Sequence, residues 1–346
     1  MEAKVRPETA RKKAELLAGG RVKIPAEYRL PFLPSRSTAG PGAGTTSIVF
    51  EFGNARAKKP ISRESGEFDL EERKGRLRLL RGGKAFIDDV KLVPTLLHAP
   101  YQAFVNIDHA CIYHCRFCNS PRLGHDATKD LTDDKIIRMI VDASKSKDFE
   151  SVAFTSAVSD SPSMTIKRMA GLVERTRELL PKVPIGVEPY AIHPNDIDDL
   201  RDAGADEIKL NIESFDPDIF EKVCPDRDYG AILHVINHAG KVFGKNRVCS
   251  NIIFGLGESD ETVLEGTKVL GNMGAVATLR ALRRNEYNVA ELEEALGPLK
   301  PVSADRMLSL AGEQKRILKD YGLSPLKFKT MCHACLACDI VPFWDI

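Results

Sequence analysis

The sequence predicts an α/β fold: a partial (β/α)6 barrel of the TIM type, with a small N-terminal α+β extension and a cysteine-rich C-terminal tail. Strand-like apolar runs alternate with amphipathic helical patterns between residues 101 and about 297, which is typical of parallel strands joined by right-handed crossovers. The 346 residues are 43% hydrophobic, enough for a large core. Six of the eight cysteines form two tight triplets, which indicate metal chemistry.

Three segments are predicted: an extension over residues 1–99, the barrel over 100–324 and the tail over 325–346. The extension begins with a helical pattern over residues 7–17 and contains the strand-like segments SIVFEF, RLRLL and KAFIDDVKLV. Its glycine-rich turn, STAGPGAGTT, lacks the lysine and the spacing of a phosphate-binding loop. A plain loop is therefore predicted there.

The barrel strands are predicted at AFVNI, SVAFTS, IGVEPY, EIKLNI, VCSNIIFGL and AVATLRAL. Helical patterns between them cover residues 133–144, 166–180, 194–203, 228–242 and 260–273. Chemistry in such barrels takes place at the C-terminal ends of the strands, so the active site is expected there.

Charge and hydropathy argue against several classes of protein. Lysine and arginine total 50 against 49 acidic residues, so the overall balance predicts neither nucleic acid nor an anionic membrane as a partner. The first twenty residues lack a signal-peptide core, and no run of about 18 apolar residues occurs. We expect a cytoplasmic protein, in which clustered cysteines indicate metal ligation and not disulfides.

The first triplet, Cys111, Cys115 and Cys118, follows the first barrel strand in CIYHCRFC. Three thiolates can hold three irons of a four-iron cluster and leave the fourth iron open, whereas a structural zinc site closes with four ligands. Zinc is the alternative, and its fourth ligand would come from His109, His114 or His125.

CIYHCRFC resembles the signature of radical S-adenosylmethionine (SAM) enzymes, including the aromatic Phe117 before the last cysteine. The resemblance covers about residues 101–323. It implies a [4Fe-4S] cluster whose open iron binds the amino and carboxylate groups of SAM, and reductive cleavage of SAM to a 5′-deoxyadenosyl radical. An electron donor such as ferredoxin or flavodoxin is implied as a partner, and the sequence identifies no catalytic side chain.

Two strand-end segments are similar to those of biotin and lipoyl synthases. FTSAVSDS is similar to the Thr-Ser segment of lipoyl synthases, which implies that Thr155 and Ser156 receive the ammonium group of SAM. Glu188 ends another strand, where it could bind SAM or pair with a neighbouring base. Gly257, in a Gly-Leu-Gly-Glu turn, permits either close approach to adenine or only a tight turn.

LNIESFDPDIFEKVCPDRDYGAIL resembles the fourth-strand segment of the same synthases. The resemblance places Arg227 on the methionine carboxylate, for which the planar guanidinium is suited; a salt bridge with Asp226 or Asp228 is the alternative. Asn211 and Glu213 lie two apart on one strand and so face the same side, where the resemblance implies that they bind ribose hydroxyls.

The second triplet, Cys332, Cys335 and Cys338, lies in MCHACLACD. Such density is unlike core cysteines, and we predict an auxiliary [4Fe-4S] cluster, with zinc as the alternative. Cys224 is the preferred fourth ligand. The alternatives are Cys249, His333 and a substrate group.

Biotin synthases carry their second-cluster cysteines on strands, and lipoyl synthases carry an auxiliary triplet before the barrel. The terminal triplet instead suggests the biotin-synthase-related proteins, among them the archaeal-type two-component lipoyl synthases. This resemblance implies sulfur insertion from the auxiliary cluster into an unactivated C–H bond of an octanoyl-lysyl carrier protein. The implied partners are an octanoylated carrier protein or a small-molecule substrate, and a second radical SAM protein. The alternatives are methylation or rearrangement, with the second cluster in electron transfer or substrate ligation, and a non-catalytic iron–sulfur scaffold.

Sulfur insertion requires the second triplet to lie near the substrate. We therefore expect the tail to fold over the open mouth of the barrel, held by the aromatic residues of VPFWDI. The alternative is a tail on the outside of the barrel.

Overall fold

Two sheets carry the fold in the computed structural model, which describes residues 2–122 and 131–346. The N-terminal sheet is mixed, in the order β2-β3-β4-β1-β5-β6-β7, and a further pairing of β3 with β7 folds it back on itself. Its strands are β1 (Val22–Lys23), β2 (Ser35–Arg36), β3 (Thr46–Phe52), β4 (Ala55–Ser62), β5 (Phe68–Arg73), β6 (Arg76–Arg81) and β7 (Lys84–Val93). The three strands predicted in this region correspond to β3, β6 and β7. The other four were not predicted.

Helix α1 (Pro7–Ala18) agrees with the predicted helical pattern. A proline in its first turn suits the start of a helix, because that position needs no backbone donor. The buried side chains Ala10 and Leu16 pack with Phe50 and Phe68 of the N-terminal sheet. This cluster is the core of the extension.

The second sheet is entirely parallel, and its strands are neighbours in chain order from β8 to β13. They are β8 (Gln102–Asn106), β9 (Ser151–Thr155), β10 (Ile185–Glu188), β11 (Glu207–Lys209), β12 (Val248–Phe254) and β13 (Ala275–Ala281). Continuous apolar runs suit them, since parallel strands are covered on both faces. The predicted partial barrel of six strands is confirmed.

The remaining helices are α2 (Asp133–Ser144), α3 (Pro162–Leu179), α4 (Pro194–Asp202), α5 (Pro217–Val223), α6 (Tyr229–Phe243), α7 (Asp260–Asn272), α8 (Val289–Leu296), α9 (Ala304–Asp320) and α10 (Met331–Cys335). The five predicted helices are found within a few residues; α5, α8, α9 and α10 were not predicted. Several begin at a Ser, Thr or Asp that accepts a backbone N–H three residues on, as Ser259 does from Thr262. None of the helices in the described part of the chain has the length and apolarity that a membrane crossing requires.

The tail closes the barrel at the N-terminal ends of its strands. Glu207, at the start of β11, accepts hydrogen bonds from the Thr330 backbone N–H (3.0 Å) and from Thr330 Oγ1 (2.6 Å). Gln102, at the start of β8, donates to Met331 O (3.0 Å). A side chain at Gly186 of β10 would clash with Thr330. The expectation that the tail covers the mouth is therefore wrong, because its polar partners lie at the opposite end.

A buried ion pair and two aromatic residues fix the tail in place. Lys13 Nζ of α1 lies 2.6 Å from Asp345 Oδ2, with both side chains fully buried, and also donates to Leu336 O (2.8 Å). Phe343 is 3% exposed, and the Trp344 indole N–H donates to Asn54 O (3.0 Å). The predicted anchoring by aromatic residues is confirmed.

Candidate functional site

Both cysteine triplets line one cavity of about 1000 Å³, enclosed by the barrel and the N-terminal sheet. Cys111, Cys115 and Cys118 reach it from the loop after β8, at the C-terminal end of the strands. Cys332 and Cys338 reach it from the tail, which enters at the other end. A ligand in this cavity could therefore contact both cysteine-bearing segments.

The loop of the first triplet is held on several sides. The Ile112 N–H donates to Val158 O (2.7 Å) and the Arg116 N–H to Val223 O (2.8 Å). Asn119, fully buried, donates from Nδ2 to Pro41 O (3.0 Å) and Ala43 O (3.2 Å) of the glycine-rich turn. That turn is thus a loop, as predicted, and it supports the cysteine loop.

The thiols of the first triplet differ in their surroundings. Burial raises the pKa of Cys111, and raises the pKa of Cys118 to about 12 with a contribution from Cys115. A hydrogen bond from Cys224 lowers the pKa of Cys115, and the Arg227 charge adds to this. Cys224 thus lies beside the first triplet, at the end of α5, and the prediction that it completes the second triplet is wrong.

The side chains do not form a ready-made metal site for either an iron–sulfur cluster or zinc. Within residues 2–122 and 131–346, no three Cys, His, Asp or Glu side chains stand together as a formed metal site. Of the histidines considered for zinc, His114 faces Asp226, with Nδ1 3.3 Å from the carboxylate. His125 lies outside the described residues.

Arg227 fits an anionic ligand next to the first triplet. Its Nη2 donates to Asn211 O (2.8 Å), its Nη1 lies 3.7 Å from Glu213, and its guanidinium covers the Tyr190 ring at 4.6 Å. The salt bridge that we considered with its sequence neighbours is not the one formed. Arg227 Nε is buried without a hydrogen-bond partner among the described residues, so one donor is left for a ligand such as the carboxylate of SAM.

Glu188 connects the SAM-binding candidates to the second triplet. Its carboxylate accepts a hydrogen bond from Asn211 Nδ2 (2.9 Å) and forms an ion pair with Lys209 Nζ (2.9 Å). Glu188 therefore pairs with a neighbouring basic residue, which was one of the two roles considered for it. Lys209 Nζ also donates to Cys332 Sγ (3.5 Å). Burial alone would lower the pKa of Lys209, but Cys332 and Glu188 together raise it, so this lysine stays charged.

The other predicted SAM-binding residues fall into two groups. Phe117, Thr155 and Ser156 line the cavity, and Phe117 also packs into the barrel core. Gly257 is not part of the cavity wall. Gly257 has φ +114°, a backbone conformation that favours glycine, and the adjacent Glu258 accepts a hydrogen bond from the Gly255 N–H (2.7 Å). Gly257 therefore permits the tight turn and does not line the cavity.

Cations surround the second triplet. Arg280 hydrogen-bonds Cys338 and lies 3.2 Å from Asp339. Burial raises the pKa of Cys338, yet Arg283 and Arg280 outweigh it and lower the pKa overall. Three thiolates on an iron–sulfur core carry net negative charge, so these surroundings suit the predicted auxiliary cluster.

The candidate fourth ligands of the second triplet differ in position. Cys249 on β12 is buried, and burial and the nearby Cys332 raise its pKa well above the usual range. His333 faces Thr278, with Nε2 3.0 Å from Oγ1, and burial lowers its pKa to about 3. Cys249 therefore lies closer to the second triplet than Cys224 does, and it is the better candidate for the fourth ligand of that triplet.

Two charged residues of the site, Lys209 and Arg280, were not predicted from the sequence. Lys209 precedes Asn211 and Glu213 at a spacing of two on the same strand segment, so strand alternation could have placed it on the inner face. For Arg280, a charged residue within the otherwise largely apolar strand β13 was the available signal.

The barrel resembles known proteins. Residues 105–268 match the family model of the Radical SAM superfamily. The FeFe-hydrogenase maturase HydG from Carboxydothermus hydrogenoformans is similar in structure, with a TM-score of 0.50, 14% identity, and coverage of 64% of this chain and 52% of that chain. At such identity the likeness concerns the fold alone.

Two further solved structures are similar to this chain. Methylornithine synthase (PylB) has a TM-score of 0.49, 18% identity and coverage of 62% of both chains. Coproporphyrinogen III oxidase (HemN) from Escherichia coli has a TM-score of 0.43, 17% identity and coverage of 65% of this chain and 54% of that chain. This chain thus spans between half and two thirds of these proteins. No curated protein sequence matches it. Residues 105–268 are therefore a radical SAM domain.

Proposed function

We propose that this enzyme inserts sulfur into an unactivated C–H bond, with an octanoyl-lysyl carrier protein as substrate. The observation that carries the proposal is the shared cavity, which both cysteine triplets line. When bound, SAM and the first cluster would supply a 5′-deoxyadenosyl radical that takes the hydrogen atom and becomes 5′-deoxyadenosine, and the auxiliary cluster would supply a sulfide to the carbon radical while its iron takes up the electron that is released. Each new C–S bond replaces one C–H bond.

The side chains of the cavity have distinct tasks in this proposal. Arg227 binds the methionine carboxylate through its free donor, and Thr155 and Ser156 receive the ammonium group. Asn211 and Glu213 hold the ribose hydroxyls from the inner face of their strand. Lys209 positions the second triplet, because it contacts both Cys332 Sγ and Glu188.

Ferredoxin or flavodoxin would supply electrons, and a second radical SAM protein would act with this one on the carrier protein. The test is anaerobic reconstitution with both clusters, SAM, reductant and octanoylated carrier protein, followed by mass spectrometry. The expected result is a mass gain of sulfur with an equivalent of 5′-deoxyadenosine. Formation of 5′-deoxyadenosine with a sulfur-free product would reject sulfur insertion and favour another radical reaction.

A further inference from the structure

Most cations that line the cavity have a carboxylate partner. The pairs are Lys209–Glu188 (2.9 Å), Arg227–Glu213 (3.7 Å), Arg280–Asp339 (3.2 Å), Arg21–Glu286 (2.7 Å) and Arg284–Glu293 (2.7 Å). Three cavity cations, Lys58, Lys59 and Arg283, have no such partner among the residues that the structure describes. We call these three the unpaired cation cluster.

The two lysines of this cluster are fixed by neutral groups only. Lys58 and Lys59, on β4, are 5% and 4% exposed. Lys58 Nζ donates to His98 O (2.6 Å), and Lys59 Nζ donates to Gly19 O (2.6 Å) at the end of α1. Burial lowers the pKa of both lysines, that of Lys59 to about 7, and the charge of Arg283 lowers both further, whereas Cys338 and Cys335 oppose the effect of burial at Lys58.

Arg283 completes the cluster from the segment after β13. Its side chain is exposed and makes no hydrogen bond within the described parts of the chain. A guanidinium with two nearby ammonium groups is a typical arrangement for binding a carboxylate or phosphate. Lys58 and Lys59 are buried with no carboxylate against them, which is costly, and a bound anion would lower that cost.

The second triplet does not fully supply this counter-charge. Three thiolates around a [4Fe-4S]2+ core carry one net negative charge. Lys209 and Arg280 already lie against Cys332 and Cys338, and the charges of Arg283 and Lys58 also act on Cys338, so four cations share that single negative charge. The Lys58 backbone N–H donates to Ala337 O (2.7 Å), between Cys335 and Cys338, so the unpaired cations border the triplet.

We propose that the unpaired cation cluster binds the carboxylate or phosphate group of a small-molecule ligand beside the second triplet. An octanoyl chain is uncharged, so this site goes beyond the proposed function and does not depend on it. If the ligand is itself a substrate, its charged group is held on the β4 side of the cavity, next to the second triplet.

Calorimetric titration of the reconstituted full-length chain tests this, with inorganic phosphate and succinate as separate probes and no SAM or reductant present. At least one anion should bind saturably, and the tighter one identifies the chemical class. Arg283→Gln should weaken binding by about tenfold or more, because a charged hydrogen-bond partner is lost. Arg21→Gln, a cavity arginine that already pairs with Glu286, is the matched control and should change binding less than about twofold.

Lys58→Met should weaken binding as Arg283→Gln does, and its unfolding curve shows whether the loss of the bond to His98 affects folding. Arg283 makes no hydrogen bond within the described residues, so Arg283→Gln should fold normally and tests anion binding even if Lys58→Met does not fold. Absence of saturable binding by both anions, or wild-type affinity in Arg283→Gln, would overturn the site. Neither result depends on sulfur transfer, so the proposed function is tested separately.

Discussion

The two cysteine triplets share one cavity but are held in opposite ways. The first lies on a loop at the C-terminal ends of the strands, and buried Asn119 ties this loop to the glycine-rich turn. The second lies on a tail that enters at the N-terminal ends, with Lys209 and Arg280 against its thiols. Position in the barrel and surrounding charge, rather than cysteine spacing, therefore distinguish the two triplets.

The largest expected effect is at the first triplet. Cys115→Ala should abolish cleavage of SAM, because all three thiolates are needed to hold the cluster that carries the open iron, and should leave the second cluster in place. Iron content and 5′-deoxyadenosine are measured together. Cys224→Ala is the matched control, since that thiol contacts Cys115 but lies outside the triplet. Unchanged cleavage in Cys115→Ala would contradict the assignment.

Removing the second triplet should give the complementary result. Cys332, Cys335 and Cys338 changed together to alanine should leave 5′-deoxyadenosine formation intact, lower the iron content by one cluster and abolish the sulfur-containing product. Product mass and iron content are the measurements. If this variant still thiolates its substrate, the terminal cluster is not the donor.

The attachment of the tail can be broken without touching a cysteine. Lys13→Met leaves Asp345 buried and unpaired, so the free energy of unfolding should fall by about 3–5 kcal/mol. Urea denaturation measures this change. Lys12→Met, a more exposed neighbour paired with Glu8, is the control and should cost less than about 1 kcal/mol. Equal stability of the two variants would mean that the buried pair does not hold the tail.

The smallest expected effect concerns the binding of SAM at the first triplet. Arg227→Ala should weaken SAM binding by about 1.5–3 kcal/mol, the range for a hydrogen bond to a charged group, with both clusters retained. Calorimetry on the reconstituted protein gives the affinity, and Arg21→Ala serves as a control arginine on the same cavity. Wild-type affinity in Arg227→Ala would reject its role.

Strand and helix periodicity predicted the barrel well, because parallel strands are apolar along their whole length. Strand β4 escaped prediction because Lys58 and Lys59 give it the pattern of an exposed segment, although backbone carbonyls hold both lysines in a buried position. The neighbourhood of Cys224 depends on how the loop after β11 folds back, which local sequence does not specify. Glu207, Lys209 and Glu213 lie at even spacing on one strand segment. This repeat of charged residues was a usable signal for the link between the triplets.

The end of the barrel at which the tail enters could not be predicted either. Apolar and aromatic residues such as Phe343 indicate that the tail is anchored, but not where. Its position is determined by polar groups at strand starts, Glu207 and Gln102, whose partners are more than a hundred residues away in sequence.

The buried pair of Lys13 and Asp345 also has a consequence for biosynthesis. The two residues are 332 positions apart, and Asp345 is synthesised after every strand of both sheets. Until the tail has been synthesised, the N-terminal ends of the barrel strands lack their cover and Lys13 lacks its carboxylate partner, whereas every residue of the first triplet's loop is already present. Docking of α1 and entry of the tail then form a late folding step of high contact order, before which the cysteines of the second triplet are still accessible to solvent.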